Sequence, residues 1–122
     1  MRVNHLTRTS MYQPAMEFAF EMGADFPFTY KYYEETYNKW VEEGEKSGEL
    51  YGILHNMYEE LNNWLNEHYL MYCCDMTHPN DNGSKEEVVL VVKKPSVDVD
   101  DNDFMYYHPD LTKELVAAFW RL

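Results

Sequence analysis

From position 48 to position 72 apolar and polar residues alternate with the period of a helix. Leu50, Leu54, Met57, Leu61, Trp64, His68 and Met71 follow one another at steps of four and three, which puts them on one face. Tyr51, Tyr58, Leu65 and Tyr72 recur every seven residues beside that seam and widen it into a core-facing stripe. Glu49, His55, Asn56, Glu59, Asn62, Asn63 and Asn66 make the opposite, polar face. Ser47 stands at the N-cap, where its hydroxyl can accept from an amide of the first turn. At about 1.5 Å per residue a helix over residues 48–72 runs roughly 37 Å, enough to cross a small domain. The other segments are expected to pack around it.

Two shorter helices precede it. Over residues 10–22, Ser10 and Gln13 are spaced as a capping box, Pro14 is tolerated in the first turn, and Gly23 supplies a C-terminal stop. Met11, Ala15, Phe18 and Met22 share a face, and Phe26 and Phe28, either side of Pro27, are expected to plug the core. Thr29 caps the second helix, to residue 43, with Tyr30, Tyr33, Tyr37 and Trp40 as its seam and Val41 alongside. Glu35, Lys39, Glu42 and Lys46 lie outside, spaced four apart for weak support. A tight turn at residues 44–48 then makes a helical hairpin with the long helix.

Past residue 72 the pattern changes. Residues 75–85 hold Pro79, Asn80, Asp81, Asn82 and Gly83, which is loop chemistry. Val88-Val89-Leu90-Val91-Val92 reads as a strand over 87–94, buried on both faces or covered on one, and Pro95 ends it. Residues 104–107 read as its antiparallel partner across an Asp-rich loop at 97–103. Pro109 opens a last helix over 110–121, with Leu111, Leu115, Ala118 and Phe119 on one face and Trp120 beside them. The expected fold is α+β, one domain: a helical hairpin plus an N-terminal helix packed with a small antiparallel β-hairpin and a C-terminal helix.

Composition supports a single packed domain, since 122 residues with 45% hydrophobic and 16% aromatic content can fill a core. Eleven Tyr, three Trp and eight Met serve cores and interfaces alike. Charge changes the picture more. Asp and Glu number 22 against 10 Lys and Arg, a formal net charge of −12. Residues 1–33 balance, whereas 34–67 carry nine acids against Lys39 and Lys46, and 98–110 carry five Asp and no cation. Direct contact with nucleic acid or an anionic membrane is disfavoured, and basic protein partners are favoured. Without an apolar leader or an 18-residue apolar run, the expected location is the cytoplasm.

Three constellations invite chemistry. His68, Cys73, Cys74 and His78 hold zinc-ligand types, but adjacent cysteines rarely reach one tetrahedral ion, and His68 on the seam reads as a core histidine. Asp98, Asp100, Asn102 and Asp103 begin like a calcium loop, yet the places that need Gly and Glu hold Asp103 and Pro109. His55 and Glu59 have the spacing of a base and its orienter, although an exposed helical pair is the better account. Neither a nucleophile motif, a phosphate-binding loop nor a dinucleotide fingerprint occurs, so no enzyme activity, cofactor or metal is expected.

The acidic surface remains. In composition the chain is similar to phage-borne anti-restriction and anti-CRISPR proteins, being small, acidic, rich in Tyr and Met and free of catalytic motifs; the likeness covers no aligned stretch and transfers no residue roles. It implies an inhibitor that offers carboxylates in place of phosphates to a nuclease or other basic nucleic-acid-binding enzyme, in the host cytoplasm if phage-encoded. Glu35, Glu42, Glu59 and Glu67 on the helices and Asp100, Asp101 and Asp103 beyond the strand are the acids expected to meet that partner. The alternatives are an immunity protein masking a basic toxin and a homo-oligomeric assembly protein whose Tyr, Trp and Met form the contact.

Overall fold

Ser47 caps the long helix as its hydroxyl requires, accepting from the Leu50 amide at 3.3 Å. In the computed structural model, which describes residues 2–77, 85–94 and 115–121, this helix α3 spans Gly48–His68. Leu54, Met57, Leu61 and Leu65 are its buried stripe. Its neighbour α2, Tyr30–Glu42, is capped by Thr29, whose hydroxyl accepts from the Tyr32 amide at 3.1 Å. Gly44 at φ 74° and Glu45 at φ 61° carry the chain through the left-handed region between the two helices. The Glu45 amide returns to the Trp40 carbonyl at 2.9 Å and so closes the end of α2. With Trp40 beside Tyr51 and Tyr33 beside Tyr58, α2 and α3 run antiparallel.

The first helix forms differently from expectation. A 3-10 turn at Thr9–Met11 leads into α1, Tyr12–Glu21, so Ser10 lies within that turn and Met11, not Ser10, stands at the N-cap of α1. Gly23 at φ 85° ends it, with the Ala24 amide on the Ala19 carbonyl at 3.0 Å. Met11, Ala15, Met16 and Ala19 are buried, whereas Met22 is exposed. Phe26 and Phe28 stack at 5.2 Å and pack against the core.

The expected layout beyond the long helix is corrected. Beyond the helices lies a four-stranded antiparallel sheet in the order β1-β2-β3-β4: β1 Arg2–Val3, β2 Tyr69–Thr77, β3 Lys85–Lys93 and β4 Leu115–Trp120. Residues 69–72 therefore leave the helix, residues 75–77 are strand rather than loop, and 115–120 are strand where a C-terminal helix was expected. The reason lies in β3. Val88, Val89, Leu90, Val91 and Val92 are all buried, so the strand is covered on both faces and its backbone groups need partners along both edges. A single hairpin partner would leave one edge unpaired. β2 supplies the first edge from Tyr69↔Lys93 to Thr77↔Lys85, and β4 the second from Val88↔Trp120 to Val92↔Leu115, with a register shift at Val91/Val92. The expected strand at 104–107, the loop at 97–103 and the start of the last helix lie outside the described residues.

All three helices meet the sheet through one core. Met71, Val89, Val91 and Phe119 project from the strands into a cluster with Met11, Ala15, Tyr33, Leu54, Leu61 and Leu65. Phe18 of α1 is the hinge between layers, with ring contacts to Tyr69, Phe119 and Trp64 at 5.8, 5.9 and 6.2 Å.

Asn62 and Asn66, on the face of α3 expected to meet solvent, instead tie down the N-terminal segment. Asn62 accepts from the Leu6 amide at 3.0 Å and donates to the Tyr12 hydroxyl at 3.2 Å, and Asn66 donates to the Asn4 carbonyl at 2.6 Å. Leu6 is thereby held in the core. Asn62→Ala is expected to cost about 1–3 kcal/mol, because a part-buried amide and a hydroxyl lose their partner together. Urea denaturation of that variant beside Asn63→Ala, whose side chain is exposed, checks it.

Candidate functional site

Where α1, α2 and α3 come together, aromatic side chains leave a cavity of about 180 Å³. Tyr12 from the start of α1, Trp40 from α2, and Tyr51 and Tyr58 from α3 wall it, and buried Leu54 also lines it. The seven-residue step that aligns Tyr51 with Tyr58 on α3 produces one wall, and the antiparallel return of α2 brings Trp40 to 6.2 Å from Tyr51. Tyr12 stacks on Tyr58 at 4.0 Å. Its ring is held by its hydroxyl, which accepts from Asn62 and donates to the Leu6 carbonyl at 3.4 Å.

His55 and Glu59 stand at this cavity, and both are more than half exposed. The pair suggested by their spacing forms, with Nε2 to Oε1 at 3.1 Å, and the imidazole also stacks against Tyr51 at 6.3 Å. Trp40 Nε1 is buried with no hydrogen-bond partner among the described residues, and the Tyr33 hydroxyl is buried facing that of Tyr58. Burial is the main influence on the two inner phenols. It pushes Tyr58 from its ordinary 10.0 up to about 12, against a smaller lowering from the Tyr33 hydroxyl beside it. Tyr33 is pushed further, by burial first and then by Tyr58.

These phenols predict alkaline sensitivity. Both stay neutral in the fold at a pH where the unfolded chain's tyrosines ionise, so their contribution is complete below pH 10 and is lost as pH rises toward 12. Urea midpoints are expected to fall between about pH 9 and about pH 11, and Tyr58→Phe is expected to flatten that fall.

The acids expected to meet a partner are distributed as follows. Glu35 and Glu42 are exposed and two turns apart on α2, Glu59 is exposed at the cavity mouth, and Glu67 is exposed near the end of α3. Asp100, Asp101 and Asp103 lie outside the described residues. All nine acids between positions 34 and 67 are exposed, and among the described residues none of them pairs with Lys or Arg. The supporting pairs expected between Glu35 and Lys39 and between Glu42 and Lys46 therefore do not close. Of the four helical candidates, Glu59 lines this aromatic cavity and Glu35, Glu42 and Glu67 do not. The aromatic walls were missed as a site because Tyr51, Tyr58 and Trp40 lie on or beside helical seams, which sequence alone assigns to the core. Nothing in the sequence separates Tyr51 from Tyr58, seven residues on, although the structure leaves Tyr51 56% exposed.

The cysteine and histidine constellation does not assemble. Successive strand residues point to opposite faces. Cys73 accordingly packs toward the helices, while Cys74, paired with Val88, faces the other side. His68 is not a core residue. It is exposed at the last position of α3, with its ring 5.0 Å from Trp64, while His78 lies outside the described residues. The Cys73 thiol donates to Glu87 at 3.3 Å, and burial raises both cysteine pKa values, which disfavours thiolate chemistry.

Glu87 also pairs with Arg8, whose guanidinium holds the carboxyl below its ordinary range, with help from the Cys73 thiol. Around them, at one end of the sheet, Arg8, Lys85 and Arg121 meet Asp75, Glu86 and Glu87 in an open hollow. Three cations against three acids give it no excess of either sign. No helix among the described residues is long and apolar enough to cross a membrane. No protein-family model, curated protein or solved structure matches this chain.

Proposed function

We propose that this protein binds and inhibits a basic, nucleic-acid-handling protein through the acidic α2–α3 hairpin. The observation that carries this is the exposure of all nine acids between positions 34 and 67, with no Lys or Arg partner among the described residues. A surface shaped only for solubility mixes both signs and holds a net charge of roughly 2–8 units in a small domain. Here the formal charge is −12, and nine acids against two lysines fall between positions 34 and 67, on two helices that pack side by side and the turn that joins them. Carboxylates with no Lys or Arg partner on a packed helical pair leave their field free to attract a cationic groove, which raises association rates and selects basic partners.

The test is competition. A partner captured by the full chain should be basic, and it should release bound nucleic acid as the chain is added. A stable ternary complex would end the inhibition by mimicry. Concentration-dependent sizing without any partner would favour the homo-oligomeric alternative, to which exposed Tyr32, Tyr51 and Val41 would then contribute.

A further inference from the structure

We infer that the cavity walled by Tyr12, Trp40, Tyr51 and Tyr58 is the socket for a single arginine side chain of that basic partner, an assignment that rests on the proposed function above and narrows it to one anchor. Size comes first. A cavity of about 150 Å³ admits a benzene-sized group, so about 180 Å³ accommodates the flat head of one side chain. Chemistry comes second. Aromatic faces present negative potential to a cation, and each well-placed ring strengthens binding by roughly 2- to 30-fold. Glu59 at the mouth adds a carboxylate whose present contact is His55.

Position decides the sign of the guest. Trp40, Tyr51 and Tyr58 belong to the 34–67 stretch that holds nine acids against two lysines, so the cavity opens within the most acidic part of the described structure. A neutral apolar side chain would fit the walls but would gain nothing from that field. Between the two cations, guanidinium is the better match. It is planar, stacks on aromatic faces, sheds water more readily than an ammonium, and can present a fork to a carboxylate. Arginine is also the residue with which basic grooves hold phosphates, so filling this socket would remove one such contact from nucleic acid.

The test uses the full chain, labelled with ¹⁵N, and three capped peptides: Gly-Arg-Gly, its neutral isostere Gly-citrulline-Gly, and Gly-Lys-Gly. The Trp40 indole signal is expected to move saturably with the arginine peptide, while those of Trp64 and Trp120 stay in place. Citrulline is expected to bind at least about tenfold more weakly, since it keeps the shape and loses the charge. Tyr51→Ala should weaken arginine binding roughly 3- to 30-fold without loss of fold, because Tyr51 is 56% exposed. Glu59→Gln should weaken it in the same direction. An equal response to citrulline, a lysine peptide that binds as tightly as arginine, or no saturable shift would each overturn the assignment. A partner complex that displaces nucleic acid but ignores Tyr51→Ala would leave the inhibitor standing and remove the socket. Saturable arginine binding, with no complex responsive to Glu35→Lys and Glu42→Lys, would do the reverse.

Discussion

Leu61→Ala is expected to destabilise the protein by about 2–5 kcal/mol, through lost burial and the cavity left behind. Leu61 is fully buried at mid-helix, in the one cluster that joins α1, α2, α3 and the sheet. The site has little freedom to collapse, because the cluster that holds Leu61 draws on several elements at once, with Met11 and Ala15 from the helical side and Met71 and Val89 from the strands. Small domains are stable by only about 5–15 kcal/mol, so the loss is a large fraction of the total. Urea unfolding at unchanged slope is the measurement, since a constant slope shows that the same surface is exposed in both proteins. Asn63→Ala, exposed two residues on, should change stability by less than about 0.5 kcal/mol. The opposite ranking would mean that α3 presents a different face to the core.

The same helix shows how far the sequence could be read. Its start was legible because Ser47 and the apolar steps from Leu50 to Leu65 agree on one phase, and the Thr29 cap and the Tyr30-Tyr33-Tyr37 seam of α2 were legible in the same way. Its end was not. Met71 and Tyr72 continue the helical spacing, but Tyr69, Met71 and Cys73 also alternate with Leu70, Tyr72 and Cys74 at the period of a strand. A short apolar run satisfies both templates, and the requirement that resolves it lies elsewhere, in the unpaired edge of β3. The six residues Leu115–Trp120 were ambiguous for the same reason, and the other edge of β3 drew them into the sheet. Burial of Val88 through Val92 on both faces implies two flanking strands, but the run itself does not say which segments supply them.

The candidate site was legible in charge and hidden in shape. That acids crowd positions 34–67 follows from composition, and their full exposure follows from the phase of two amphipathic helices. The cavity depends on the packing angle between those helices and on the position of Tyr12, held by Asn62. Asn62 itself was unreadable, because a polar residue on a polar face gives no sign that a distant amide will come to it. Only tertiary contact distinguishes a solvated asparagine from one that holds a chain segment in place.

Reversing Glu35 and Glu42 to Lys together is expected to slow association with the basic partner by on the order of tenfold or more at low salt. Each reversal adds two units of charge, so the pair takes the formal net charge from −12 to −8 and removes two of the three acids of α2. Both side chains are exposed, and neither lines the aromatic cavity, so folding stability should stay within about 0.5 kcal/mol of the parent. That separation of rate from stability is the signature of steering: long-range attraction speeds encounter, whereas dissociation depends on the contacts made after docking. Salt supplies an independent reading. Exposed charges are screened beyond about 10 Å at 0.1 M ionic strength, so the parent's association rate should fall steeply as salt rises, and the double variant's should fall less. Stopped-flow association at several salt concentrations measures both. A parent rate indifferent to salt, or a double variant as fast as the parent, would remove the acidic hairpin from the interface. The contact would then have to lie with the exposed tyrosines, Tyr32 and Tyr51.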